Sequence, residues 1–289
     1  MTNKKSFAQI ILQLKQFWQT YNVTPIEGYA KEVGAGTLAP FTALQLINSK
    51  PVNISYVQRS LRPTDYRFAQ NPNRAGGYYQ FQCLIKPIDS VTNIQNLVVK
   101  SFEAIGVDLQ LHDIRFIEDN WQNESIGASG LGYEVWCDGM EVAQFTYIQK
   151  IGGKQCDVHS CEITYGLERI AMSSQNCSSM FDIVWDYNEH GEVLYNDIHS
   201  KEAEIEYSNY IKNFDLDNDH ILLHLNHKIE ICKQLIDKKL RHPAYDACLE
   251  ASHNVNILDG RGFITPQERM AFILQIKNLM NHIIELEQQ

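Results

Sequence analysis

The sequence lacks several things that would have decided its class at once. It has no apolar run near the ~18 residues that a membrane-spanning helix requires. It has no low-complexity segment and no internal repeat. Its opening, MTNKKSFAQIILQLKQFW, interrupts the apolar residues with Gln and Lys and shows no small-residue cleavage site, so no export signal is expected. Seven cysteines are scattered without paired spacing, which points to free thiols in a reducing cytoplasm rather than a disulfide scaffold. The ten histidines form no HExxH or HxH pattern. Positive charge is scarce. With 25 Lys and Arg against 35 Asp and Glu the net charge is −10, which excludes a chain that wraps nucleic acid unaided.

What is present is an ordinary soluble composition, 44% hydrophobic and 21% charged over 289 residues. That length suits one large domain or two of roughly 100–200 residues. The charge is unevenly placed. Residues 55–90 are net +3 and carry four of their basic groups as Arg59, Arg62, Arg67 and Arg74; residues 186–220 are net −8. The first stretch is an anion-site candidate. The second reads as a solvated face or a partner surface.

Periodicity gives the organisation. Ser6 and Gln9 have capping-box spacing before a helix whose apolar face is Ile10, Ile11, Leu14, Phe17 and Trp18. EVGAGTLAPFTALQL reads as a glycine-bearing turn ending at Pro40. Strands are expected near 54–60, 77–86, 112–120, 131–137, 141–149 and 161–165, with Asp138-Gly139 as a tight hairpin turn. One helix is expected over about 93–105, with Gly106 just past its end. After about 200 the pattern turns helical: Ile221, Leu222, Leu225, Ile229, Cys232 and Ile236 share one stripe, and Thr265-Pro266-Gln267-Glu268 caps another. The fold class expected is α+β, an antiparallel sheet flanked by helices over 1–198, followed by an all-helical domain over 199–289.

Alternation places Tyr78, Gln80 and Gln82 on one face of a strand and Tyr79 and Phe81 on the other. Glu162 and Thr164 share a face in the same way. As neighbours these strands would present a carboxylate, two amides and a hydroxyl, a set suited to a small ammonium-bearing ligand; the plain alternative is a polar sheet face open to water. Gly166-Leu167-Glu168-Arg169 opens a helix, where an arginine on the first turn reaches an anion. A lone GxxR more often makes a surface salt bridge. Cys156-x-x-His159-x-Cys161 has no second pair for a metal. Asp215-x-Asp217-x-Asp219 lacks the glycine and closing glutamate of a calcium loop and reads as an acidic helix start.

Taken together, these strings resemble a known family. Arg62-Pro63-Thr64-Asp65 followed by Arg74-x-x-x-Tyr78 looks like motif 2 of class II aminoacyl-tRNA synthetases, and Gly166-x-x-Arg169 looks like motif 3. The region Gly34 to Pro40 lies where motif 1 would. EVGAGT, RPTDxR, NPNR, YYQFQ, HDIRFxEDNW, GLGxEVWxxGMEV, QFTYxQ and EITYGLER occur in that order, as in the glycyl-tRNA synthetase α-subunit family of the bacterial heterotetrameric type. The chain departs from the pattern at Arg59, Leu61, Tyr66 and Ser129.

The resemblance implies an ATP-dependent glycine–tRNA ligase subunit that forms glycyl-adenylate. By position Arg62 would hold the α-phosphate and the glycine carboxylate, and Arg169 the γ-phosphate. Arg67 and Arg74 would hold ATP or the tRNA end. Tyr78 would stack on adenine, with Phe81 as the other candidate. Glu162, Thr164, Gln80 and Gln82 would bind glycine, with Trp121 as a wall. Glu141 would be a ligand of Mg2+. The implied partners are a β subunit and a second α chain in an α2β2 assembly, with the acceptor end of tRNA(Gly) and glycine as substrates. The α–α contact would involve Gly34–Leu46, and the C-terminal helices would dock β. The alternatives are a related ligase that adenylates a small acid without tRNA, or a noncatalytic paralogue.

Overall fold

The computed structural model describes residues 5–66, 73–89, 91–213 and 217–288. A first helix, α1 (Phe7–Gln19), is closed by the reciprocal Ser6–Gln9 capping box. It buries Phe7, Ile10, Leu14 and Trp18, the spacing of one helical face. A two-residue strand β1 (Thr24–Pro25) follows. A 3-10 turn at Gly36–Leu38 leads into α2 (Pro40–Ile47). Pro40 thus begins a helix instead of ending a turn. It stands at the first helical position, where its missing N–H costs nothing.

The main sheet is built from β2 (Val52–Leu61), β3 (Gly77–Lys86), β4 (Ile114–Asn123), β5 (Ala128–Cys137), β6 (Met140–Ile151) and β7 (Lys154–Gly166), with β1 at one edge. Its order is β1-β2-β3-β7-β6-β5-β4, antiparallel except for β1 beside β2. Asp138 and Gly139 both take positive φ (50° and 82°) between β5 and β6, as a tight hairpin requires. α3 (Ile94–Ala104) is capped by Asn93 and ends before Gly106 at φ 89°.

From β7 the chain turns at once into α4 (Leu167–Gln175). A small hairpin, β8 (Val184–Asn188) with β9 (Gly191–Leu194), and a single turn α5 (Tyr195–Ile198) come next. The remainder is helical: α6 (Lys201–Asn213), α7 (Asn218–Asp237), α8 (Arg241–Gly260) and α9 (Pro266–Gln288). An α+β chain with a large antiparallel sheet and C-terminal helices is what the sequence implied. The β8–β9 hairpin and α8 were not anticipated.

Apolar residues gather on both sides of the sheet. One core joins Phe7, Trp18, Phe81, Phe102, Phe145 and Tyr165, from α1, α3 and one sheet face. The second joins Leu44 and Ile47 of α2 to Leu84 and Ile148 of the opposite face and to Tyr245, Ile276 and Ile283 of the C-terminal helices. Lys86 is fully buried at the edge of this second core. Its Nζ donates to the carbonyls of Gln45 and Asn48, which closes the C-terminal end of α2. Most of Gly34–Leu46 is consumed here. Gly36, Thr37, Leu38, Ala39, Thr42, Ala43, Leu44 and Leu46 are buried within their own chain, while Gly34, Ala35, Pro40, Phe41 and Gln45 stay partly exposed.

Candidate active site

The polar face of the sheet is set by register. Directly paired residues share a face, and Gln82 pairs with Thr164, which pairs with Gln144. Gln80 pairs with Gly166, and Glu162 pairs with Thr146. The strands carrying Gln80, Gln82, Glu162 and Thr164 are therefore neighbours. Above this face lies a cavity of ≈ 330 Å³ whose lining includes Arg62, Arg74, Tyr78, Gln80, Trp121, Glu141, Thr164 and Arg169. Arg67 lies outside the described residues.

Three guanidinium groups converge on this cavity, each held from a different element. The Nε of Arg62 donates to Gly34 O at 2.8 Å, and its guanidinium lies over the Tyr78 ring at 5.2 Å. Tyr78 Oη donates to the same carbonyl, and burial pushes its hydroxyl up to about 12. Arg74 pairs with Asp65 at 3.2 Å. Arg169, on the first turn of α4, donates to Glu141 O at 2.9 Å and pairs with the Glu141 carboxylate at 3.4 Å. Burial raises the Glu141 carboxyl, and Arg169 opposes that rise. In a chain of net charge −10, such a cluster makes a local anion site.

Tyr78 reaches the cavity. Phe81 does not: it is fully buried on the other face, edge-on to Tyr165. Strand alternation sends it away from the polar face, so it is no candidate for a ligand ring.

Glu162 and Gln82 sit behind the cavity wall, under the turn Gly36–Leu38. Thr37 Oγ1 donates to Glu162 at 2.7 Å, and the Gln82 amide donates to its other oxygen. Burial raises the Glu162 carboxyl to about 7, with these two hydrogen bonds holding it lower than burial alone would. Gln82 Oε1 is buried with no hydrogen-bond partner among the described residues, a bare acceptor beside a carboxylate. Gly36 lies directly on it; a Cβ there would stand 2.9 Å from the Gln82 amide. Gln80 is oriented the opposite way. Its Oε1 accepts from Gly36 N at 2.8 Å and from Ser60 Oγ at 2.9 Å. A backbone N–H can only donate, so the Gln80 NH2 is left as the group available on the cavity side. Gln80 and Thr164 line the cavity, while Gln82 and Glu162 stand behind them.

Several residues of the site were not singled out in the sequence. Glu168 lines the cavity and is nearly fully buried. It accepts from Tyr79 N (2.8 Å) and Tyr195 Oη (2.9 Å), and burial raises its carboxyl to about 7. It fastens the turn that carries Arg169 to β3. Gln144 donates to Asp119 at 2.6 Å. Thr37, Asp119, Gln144 and Glu168 all lie inside the strings that carried the resemblance, but only pairing across strands gives them roles.

Among the described residues, the group of His, Cys and acidic atoms close enough to share a metal is His112, Cys137 and Asp138, at the β5–β6 turn and outside the cavity lining. Cys156, His159 and Cys161 are not brought together as such a group. A divalent ion carried by substrate phosphates needs only one or two protein carboxylates. Glu141, on the cavity wall and beside Glu134, fits that demand.

The cavity joins an arginine-rich anion site to a floor of neutral polar side chains, Gln80 and Thr164. The family described as glycyl-tRNA synthetase alpha subunit matches residues 7–287. The glycine–tRNA ligase alpha subunits of Rickettsia bellii strains OSU 85-389 and RML369-C are each 45% identical over 282 residues, covering 96% of this chain and 94% of theirs. The solved pyrrolysyl-tRNA synthetase of Desulfitobacterium hafniense is a slighter likeness, with TM-score 0.44, 11% identity, and coverage of 62% of this chain and 73% of that one. This chain belongs to the glycyl-tRNA synthetase alpha subunit family, and thereby to the aminoacyl-tRNA synthetases.

Proposed function

We propose that the cavity activates glycine with ATP. The glycine carboxylate attacks the α-phosphorus, a new C–O–P linkage forms, and the bond to the β-phosphate oxygen breaks so that pyrophosphate leaves with the electron pair. A terminal ribose hydroxyl of tRNA(Gly) then attacks the glycyl carbonyl, an ester forms, and AMP leaves with the electron pair of the broken acyl–phosphate bond. Negative charge grows on the α-phosphate oxygens and on the leaving group. Catalysis is therefore mainly positioning plus electrostatic stabilisation.

The reading rests above all on the convergence of Arg62, Arg74 and Arg169 on the cavity that Gln80 and Thr164 floor. Arg62, just past the end of β2, serves the α-phosphate and the carboxylate. Arg169, across the cavity on α4, serves the γ-phosphate, and Arg74 the remaining phosphates or the tRNA end. The Tyr78 ring offers a platform for adenine, and Trp121 walls the glycine side. Gln80 donates to the carboxylate and Thr164 accepts from the ammonium, while Gln82 and Glu162, directly behind them, bind glycine through the polarity they give this wall. Glycine is selected by lack of room. Excluding a methyl by clash discriminates better than sensing a missing one, which is worth only ~1–3 kcal/mol. Mg2+ held by Glu141 would neutralise phosphate charge.

The same proposal divides the chain at 198/199 into a catalytic and a helical part, sets the reaction in the cytoplasm, and assigns tRNA binding mainly to a β subunit docked on the C-terminal helices of an α–α dimer. The test is glycine-dependent ATP–pyrophosphate exchange, on this chain alone and with its β subunit. Exchange that requires glycine and falls by about 10²-fold or more in Arg62→Ala supports the reading. Folded protein with no exchange in either setting refutes it.

A further inference from the structure

One helix outside the sheet, α6, holds both Tyr66 and the Gly76–Gly77 backbone beside Arg74. On the leading side, Ser208 Oγ donates to Tyr66 O at 3.0 Å, and the Tyr207 ring stacks on the Tyr66 ring at 5.4 Å and 27°. On the trailing side, Glu204 Oε2 accepts from Gly76 N at 3.2 Å and also from the Gly77 amide. Glu204, Tyr207 and Ser208 are spaced i, i+3, i+4, one face of α6. Tyr66 is held between Tyr207 and Gly76: a Cβ on Gly76 would stand 2.3 Å from the Tyr66 ring, so only glycine lets the ring pack this closely. α6 is anchored from behind, with Ile211 buried against Gly260 at the end of α8.

Two further restraints act here, the Arg62 N to Gly76 O hydrogen bond (2.7 Å) and the Arg74–Asp65 pair. The Arg74 side chain is half exposed, and an exposed ion pair restrains a long side chain weakly. A phosphate-binding arginine on a poorly held loop loses affinity to the ordering it must undergo.

We propose that α6 is the positioning element for Arg74: Glu204, Tyr207 and Ser208 hold Tyr66 and the Gly76–Gly77 backbone so that Arg74 meets the ATP phosphates. This rests on the glycine–ATP reading. The three residues touch neither cavity nor substrate, and their effect is on the polyphosphate side of the site and not on the glycine side.

Two measurements on the full chain test it, made on Tyr207→Ala, Ser208→Ala and Glu204→Ala, with Tyr207→Phe as the conservative variant and Ile205→Ala on the exposed side of α6 as the control. In pyrophosphate exchange, KM for ATP should rise on the order of fivefold to tenfold in the three alanine variants, with KM for glycine within about twofold. Limited trypsin digestion should cut faster after Arg74 in the same three. Tyr207→Phe and Ile205→Ala should match the unmodified chain in both. Unchanged KM for ATP, or KM for ATP and glycine rising together, overturns the proposal. Should the unmodified chain show no glycine-dependent exchange, the glycine–ATP reading falls by itself. The role of α6 is then decided by cleavage after Arg74 with and without ATP: protection by ATP that is lost in Tyr207→Ala upholds it, and equal cleavage in both chains overturns it.

Discussion

Thr37 Oγ1 donates a hydrogen bond to the buried carboxylate of Glu162 at 2.7 Å. It ties the turn after α1 to the central strand β7, and it covers the one fully buried acid on the glycine side of the cavity. Because Gln82 occupies the other oxygen, Glu162 acts on a ligand largely through the two groups it orients.

That burial has a pH consequence. The carboxyl is raised from an ordinary 4.5 to about 7. Between those values the unfolded chain sheds its proton while the folded chain keeps it, so stability falls as pH rises, by about 3 kcal/mol in all. Glu168, raised in the same direction, adds a second share. Glu162→Gln should remove one share: urea unfolding at pH 5 and pH 8 should show a smaller loss than in the unmodified chain. The variant should also raise KM for glycine far more than KM for ATP. An unchanged pH slope would show that Glu162 ionises normally.

Arg169 sits on the first turn of α4 and is oriented by Glu141 O. Arg169→Ala and Arg62→Ala should each slow exchange by about 10²–10³-fold, the usual cost of removing one donor from a developing charge. Circular dichroism should show folded chains. A loss below tenfold would place the phosphates elsewhere.

Glu141 is the assigned carboxylate for Mg2+. Its pair with Arg169 is partly exposed on both sides, so Glu141→Gln should change stability by less than about 1 kcal/mol. The Mg2+ concentration that half-saturates exchange should rise several-fold. An unaltered Mg2+ dependence would remove Glu141 from that role.

Lys86 closes α2 from inside the second core. Lys86→Met keeps the volume but strands two helix-end carbonyls, and should cost about 1–3 kcal/mol in chemical denaturation. Because α2 follows directly on the Thr37 turn, exchange should weaken with it. A stability equal to the unmodified chain would mean that water replaces the ammonium at no cost.

Gly36→Ala tests the placement of Gln82. The added Cβ would meet the Gln82 amide at 2.9 Å. Displacing Gln82 should raise KM for glycine tenfold or more, on the scale of a misplaced ligand group, with little change for ATP. Equal KM values would show that the turn yields.

Where the sequence was read well, the signal was local. Strand 77–86 was expected at the bounds observed for β3, and the 93–105 helix differs from α3 by one residue at each end. The Asp138-Gly139 hairpin and the Ser6 and Thr265 caps depend on backbone chemistry within four residues. α8 escaped notice because it is packed between α7, α9 and the site side of the sheet. Ala244, Tyr245, Ala247, Cys248, Leu249 and Ala251 are all buried, which erases the two-sided pattern of a surface helix. The β8–β9 hairpin was hidden by acidic residues that look like open surface, although Asp186 accepts from Ser6.

By itself the sequence determined the α+β class, the alternation that puts Gln80 and Gln82 on one face, and the ordered motifs that mark the family. Alternation and capping are properties of a few adjacent residues, so they survive in one dimension. Only the tertiary structure decided that Tyr78 and not Phe81 meets the cavity, that Glu162 lies beneath Thr37 and Gly36, and that α6 holds the backbone beside Arg74. Those facts depend on register across non-adjacent strands and on which helix covers which face, and neither is written in the local pattern.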